Sequence, residues 1–309
     1  MPATTLAPGT HDFDMEDVEY LRHGDVSLRA RLFRPRGKGP FPAVIELHGG
    51  VWTDNDRTRS KVHHEWLAGH GIAVAALDFR QGAGGYPHSL ADINYAVRWV
   101  KANPARLNTR ADLVGIIGSS SGGHLAMLTA MRPHDPRYAA IALPPNSLQV
   151  DASVKCVVMF WPVINPLGRH HNARRLAEAP NAPDWPPRTM RLSLAYWQNE
   201  AAMSEGSPLL ALERSEKVAM PPVLWIQGTN DLIHDYTDPH SGFAGSEAAR
   251  FVDRYTRRGG KAELAYYDAP LHFTSEHPEL PQSVAALQRV TAFIKREIPV
   301  VDTHSIADK

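Results

Sequence analysis

The run Gly118-Ser119-Ser120-Ser121-Gly122 sets a serine between glycines at the spacing G-x-S-x-G. Those glycines permit a tight turn from a strand into a helix that lifts the middle serine clear of its surroundings, so that its hydroxyl can attack an electrophilic carbon. The frame selects Ser120, because a frame centred on Ser121 needs glycine at 119, where serine stands. A serine-glycine tract alone is more often a loop than a site. Here the apolar run LVGII precedes it and HLAMLTAM, with helical character, follows. Ser120 would then stand at a helix N-terminus, where the local dipole favours developing negative charge. Ser121 would contribute its backbone N–H, and Ser119 would fill the turn.

Three further stretches supply the partners such a nucleophile needs. In LHGGVW, Gly49 and Gly50 follow a buried run, and glycine lets backbone N–H groups approach an oxyanion closely. With Ser121 they are the expected oxyanion donors, each contributing about 3 kcal/mol of transition-state stabilisation. His48 would hold that loop by hydrogen bonds. In IQGTNDLIH, Asp231 follows another buried run, where a carboxylate can fix a histidine tautomer; Asp235 is its rival. In YYDAPLHFTSEHP, His272 follows the last strand at the distance expected of a general base, with His277 farther into a proline-flanked loop. Trp52, Trp161 and Phe273 are the candidate pocket residues, with Trp185 and Trp197 as further aromatics above it.

The elements that must carry these residues alternate along the chain. DVSLRARLFRPRG reads as a half-exposed strand at an antiparallel edge, after a polar start. PAVIELHGG, IAVAALDFR, ADLVGIIGSS, SVKCVVMFWPV and PPVLWIQGTND are nearly continuous apolar runs, as strands buried on both faces require. Helical spacing separates them in RSKVHHEWLAGHG, SLADINYAVRWVKANP and SGGHLAMLTAMR, and returns in SEAARFVDRYTRRGG and PQSVAALQRVTAFIKREI around the strand KAELAYYDA. This order predicts an α/β fold with a mostly parallel, doubly wound sheet. Ligands bind such sheets beyond the carboxyl ends of the strands, which is where all four stretches fall. Residues from about 164 to 220 break the rhythm. They read as an insertion with one helix, RTMRLSLAYWQNEA, forming part of a cap. Within it Arg169, His170, His171, Arg174 and Arg175 read as a solvated basic face, with contact to a substrate carboxylate as the alternative. The tail after Pro299 reads as frayed and without function.

Composition narrows the classes. Of 309 residues, 33 are basic and 33 acidic, which gives no electrostatic reason to expect nucleic acid or an anionic membrane as partner. Cys156 is the only cysteine, which rules out an intrachain disulfide and a cysteine-built metal cluster. No HExxH, internal repeat or run of eighteen apolar residues occurs, so a cytoplasmic protein is the expectation.

With these residues in place, the chain resembles an α/β-hydrolase of the esterase/lipase group that includes hormone-sensitive-lipase-like carboxylesterases, bacterial feruloyl esterases and arylformamidases. The resemblance covers roughly residues 20 to 298 and rests on HGGVW, DFR, PHSLADINYAVRWV, GSSSGGHLA, GTND and LHF. It implies a single α/β-hydrolase domain over 1–309, with Gly49 and Gly50 in the oxyanion hole and a triad in the chain order Ser120, Asp231, His272. The sequence departs from the lipase-like pattern where Val51 replaces a third glycine, where Ser121 replaces a common alanine, and in the glycine-rich DFRQGAGGYP.

The expected chemistry is two-step acyl transfer on a small carboxylic ester with an apolar or aromatic group, without metal or organic cofactor. Small-amide hydrolysis of the arylformamidase kind is the alternative among enzymes, and a ligand-binding receptor on the same fold is the alternative outside them. An oligopeptidase would need a large extra domain. The expected partner is the small ester or amide itself, with neither nucleic acid nor membrane, and homo-oligomer formation is left open.

Overall fold

A computed structural model describes residues 9–300. Eight strands form one sheet: β1 (Phe13–His23), β2 (Val26–Pro35), β3 (Ala43–Leu47), β4 (Ala73–Leu77), β5 (Val114–Ser119), β6 (Val157–Phe160), β7 (Val223–Gly228) and β8 (Ala262–Tyr267). Their order is β1-β2-β4-β3-β5-β6-β7-β8. The pairs β1·β2 and β2·β4 are antiparallel, and every pair from β4 to β8 is parallel.

The uninterrupted apolar strands follow from this arrangement, since successive side chains on a strand face opposite ways. Ala43, Ile45 and Leu47 enter one core cluster and Val44 the other; Val157 and Met159 part from Val158 and Phe160 in the same way. One cluster is covered by helices α2 (His88–Ala102), α3 (Ser121–Met131) and, after β7, a helix at Glu247–Arg257. The other is covered by α1 (Lys61–Gly69) and the final helix at Pro281–Glu297.

Two features differ from the sequence expectation. The edge is not β2 but the preceding strand β1, within the stretch read as a polar start. Its charged residues are those of an edge strand paired to its neighbour: Asp17 receives a two-pronged hydrogen bond from Arg31 of β2, at 2.8 and 2.9 Å, and is also held by Arg57. Between β6 and β7 there are four helices where one was expected: α4 (Pro166–Ala177), α5 (Trp185–Trp197), α6 (Glu200–Glu205) and α7 (Pro208–Glu213). Helix α4 begins where the sequence permits, with the Asn165 side chain accepting from the Gly168 N–H and proline at its first position. The helices after the insertion are therefore α8 (Glu247–Arg257), α9 (Phe273–Glu276) and α10 (Pro281–Glu297). The tail expected to fray lies, from residue 301, outside the described residues.

Candidate active site

Ser120 stands between the end of β5 and the start of α3, with φ 52° and ψ −121°. A positive φ is costly for a residue with a side chain, and the neighbours here enforce it. The Ser120 N–H donates to Phe160 O at 2.9 Å, and its carbonyl accepts from Val163 at 3.1 Å and His124 at 3.1 Å. The flanking glycines are required by contact: a Cβ on Gly122 would lie 2.1 Å from Leu47 O, and one on Gly118 would lie 2.4 Å from Gly122 O. Residues 118 and 122 thus let α3 close down on β3 and β5.

The Ser120 hydroxyl meets His234, with Oγ 2.9 Å from Nε2. On the far side of the ring, Nδ1 lies 3.0 and 2.9 Å from the two Asp231 carboxylate oxygens. A carboxylate can only accept, so Nδ1 carries the proton and Nε2 is left as an acceptor toward the serine. All three residues are buried. Asp231 also accepts from the Ile233 and His234 N–H groups, both at 3.1 Å, and from Gln227 Nε2 at 3.1 Å. Burial pushes its carboxyl upward, but the facing His234 and these backbone donors outweigh it and hold the group below the ordinary aspartate value.

His272, the expected base, does not meet Ser120. Its Nδ1 pairs with Glu276 at 3.2 Å, and Glu276 in turn receives Arg59 at 2.7 Å. The His272 ring lies against Trp161 and 5.9 Å from the His234 ring, in the same cavity. Burial, followed by the neighbouring His234, lowers its affinity for a proton. The physical reason for the exchange is local. Asp231 folds the chain back on itself through its own backbone hydrogen bonds, which brings a side chain three residues on over the carboxylate. The spacing Asp231-x-x-His234 was the signal available in the sequence. Asp235 accepts from Tyr266 Oη at 2.6 Å and from Ala248 N–H at 3.4 Å, while His277 is exposed near Glu279.

Gly49 and Gly50 line the cavity beside Ser120. The Gly49 carbonyl is held from two sides, by His48 Nδ1 at 2.9 Å and Asn55 Nδ2 at 3.0 Å. Because the peptide is trans, this clamp turns the Gly50 N–H the opposite way. Neither glycine N–H has a protein acceptor among the described residues. The Ser121 N–H opens α3 and so has no partner within the helix. Its hydroxyl accepts from the Trp52 N–H at 3.1 Å, tying the glycine loop to the turn at Ser120.

The cavity has a volume of about 410 Å³. Trp161 and Ser119 line it, as do Trp185 and Arg169 from the inserted helices. Trp52 and Phe273, the other two candidate pocket residues, do not. Trp52 is carried inward by a backbone with φ 60°, stacks on Tyr196, and donates its indole N–H to His124 Nδ1 at 3.1 Å. Phe273 is fully buried, packed against Trp161 and Tyr267. Trp197 likewise belongs to the core. The basic stretch divides: Arg174 is exposed near Glu200, whereas Arg169 is 2% exposed and faces the cavity.

A family model described as BD-FAE matches residues 32–240, two thirds of the chain, including Gly49, Gly50, Ser120, Asp231 and His234 but not His272. The chain belongs to the BD-FAE family. This BD-FAE chain is similar to the probable carboxylic ester hydrolase LipM of Mycobacterium tuberculosis, 27% identical over 91% of this chain and 59% of the relative. It is also similar to esterase LipC of the same organism, at 25% identity over 75% of this chain and 52% of the relative. It spans between half and three fifths of the length of these two curated relatives. Among solved structures, a hyperthermophilic esterase from the archaeon Pyrobaculum calidifontis superposes with a TM-score of 0.71 at 24% identity, covering 92% of this chain and 83% of that one. The shared architecture is the α/β-hydrolase fold. Among the described residues, no helix is long and apolar enough to cross a membrane.

Proposed function

We propose that this BD-FAE chain hydrolyses a small carboxylic ester through Ser120, His234 and Asp231. The observation that carries the reading is the continuous path from Ser120 Oγ through the His234 ring to the Asp231 carboxylate, opening on a cavity that also holds glycine N–H groups without acceptors. Ser120 Oγ attacks the ester carbonyl while His234 Nε2 takes its proton, and Asp231 stabilises the imidazolium. The Gly49, Gly50 and Ser121 N–H groups receive the oxyanion. His234 then protonates the departing alkoxide, leaving an acyl group on Ser120. Water, deprotonated by the same histidine, releases the acid and restores the serine.

Trp161, Trp185 and Ile233 on the cavity wall support an apolar or aromatic group in the substrate. The names of LipM and LipC point to the same reaction class. The test is hydrolysis of short-acyl 4-nitrophenyl esters by the purified protein and by Ser120→Ala. Turnover by the parent that vanishes in the variant is expected, and full turnover by Ser120→Ala would overturn the reading.

A further inference from the structure

Arg169 lies in α4, is 2% exposed, and lines the cavity that contains Ser120 and His234. A guanidinium removed from water is normally given a carboxylate, because its desolvation is otherwise uncompensated. The other two arginines on this wall have one: Arg59 pairs with Glu276, and Arg188 pairs with Asp54. Among the described residues Arg169 has no carboxylate within salt-bridge distance. Among the described residues its guanidinium makes one hydrogen bond, a long one from Nη2 to Ser193 Oγ at 3.3 Å, and its buried Nε has no partner. The face of Trp52 lies 5.0 Å beneath the guanidinium and offsets part of the charge. Burial lowers its affinity for a proton, but only to about 10, so Arg169 is charged at neutral pH.

We propose that the substrate carries a carboxylate and that Arg169 receives it, which makes the natural substrate an anionic ester. This inference rests on the ester-hydrolase reading of the same cavity. The fork of an arginine matches a carboxylate with two parallel hydrogen bonds, and for a guanidinium as buried as this one such a pair is stronger than in water. Among the described residues the cavity supplies one uncompensated cation, which fits a single carboxylate better than a phosphate dianion. The carboxylate can belong to the acyl half of the ester or to the alcohol half, and two matched pairs of substrates distinguish them. The acyl pair is 4-nitrophenyl glutarate and 4-nitrophenyl pentanoate. The alcohol pair is 3-carboxyphenyl acetate and 3-carbamoylphenyl acetate.

In the parent protein, kcat/KM for the anionic member is expected to exceed that for the neutral member by about tenfold or more in one pair. In Arg169→Met that ratio should fall by at least about thirty-fold, chiefly through KM, with part of it restored in Arg169→Lys. If Arg169→Met does not fold, as judged by thermal melting, Arg169→Gln gives the same reading. A parent that prefers the neutral member of both pairs overturns the inference, as does a preference that survives loss of the charge. Activity on neutral esters without any carboxylate preference leaves the hydrolase reading standing and removes only this one. Should the parent turn over no ester at all, calorimetric titration with benzoate still decides: binding by the parent that is lost in Arg169→Gln supports the site, and no binding by the parent removes it.

Discussion

His234 Nε2 lies 2.9 Å from Ser120 Oγ while Nδ1 of the same ring faces both oxygens of Asp231, three residues earlier in the chain. The proposed acid and base therefore come from one turn after β7. His272, on the loop after β8, stands next to this pair and is engaged with Glu276. The assignment is checked by comparing His234→Ala and His272→Ala on one aryl ester. The first should lower kcat by about 10⁶-fold, as removal of a triad base does. The second should cost about tenfold or less, through the shape of the cavity wall. The opposite ranking would make His272 the base and His234 its neighbour.

The Asn55 side chain and His48 fix the Gly49 carbonyl, and through the trans peptide they fix the Gly50 N–H. Losing one half of this clamp should loosen the Gly50 N–H, a proposed donor to the transition state. For Asn55→Ala we expect kcat to fall by about ten- to a hundredfold with KM changed by less than about threefold. Steady-state kinetics separate the two parameters, and an effect confined to KM would place Asn55 in substrate binding instead.

Gly122 and Gly82 make a contrast between contact and conformation. A Cβ on Gly122 would meet two backbone oxygens, Leu47 O at 2.1 Å and His48 O at 2.4 Å, so α3 would have to move off β3. A Cβ on Gly82 meets nothing within 4 Å, and only its φ of +84° opposes a side chain. Gly122→Ala should lose about 3 kcal/mol or more and also activity, because the shift displaces Ser120. Gly82→Ala should lose about 1 kcal/mol. Urea unfolding monitored by tryptophan fluorescence measures both, and equal losses would refute the argument from contact.

His124 predicts an acid-sensitive core. It is fully buried, accepting from Trp52 Nε1 at Nδ1 and donating from Nε2 to Gly206 O at 2.8 Å. A proton on Nδ1 would set two donors against each other, and burial lowers the ring's pKa to about 3. Between that value and the ordinary one near 6.5, the unfolded chain binds a proton that the native state does not. Stability therefore rises with pH across this window, is complete above about 6.5, and is lost as pH falls toward 3. The slope due to one such group approaches about 1.4 kcal/mol per pH unit. His124→Gln should reduce the slope measured between pH 4 and 6 by that amount, and an unchanged slope would show that other groups set it.

Much of the fold was legible because burial on both faces leaves a strong mark. The runs IAVAAL and VKCVVMF admit little but strands sheltered on both sides, and the glycines around Ser120 announce a turn whose reason is steric. The β1 edge was not legible: its exposed face carries the charges of a solvent-facing strand, and periodicity does not separate this from a polar terminus. The inserted helices were obscured for a related reason, since α4 carries arginines and histidines whose inward or outward direction depends on what packs above them.

The sequence by itself determined the sheet, the glycine-flanked turn at Ser120, the position of Asp231 after β7 and the glycine loop opposite, because each depends on local contacts or on a period set by the backbone. Only the tertiary structure decided which histidine reaches Ser120 and which arginine faces the cavity. Both questions concern side chains brought together from distant segments, over 110 residues apart for Ser120 and His234. Chain order and charge pattern say which groups exist; the packing of loops after β7 and β8, and of α4 beside the sheet, sets the few ångströms that separate a partner from a neighbour.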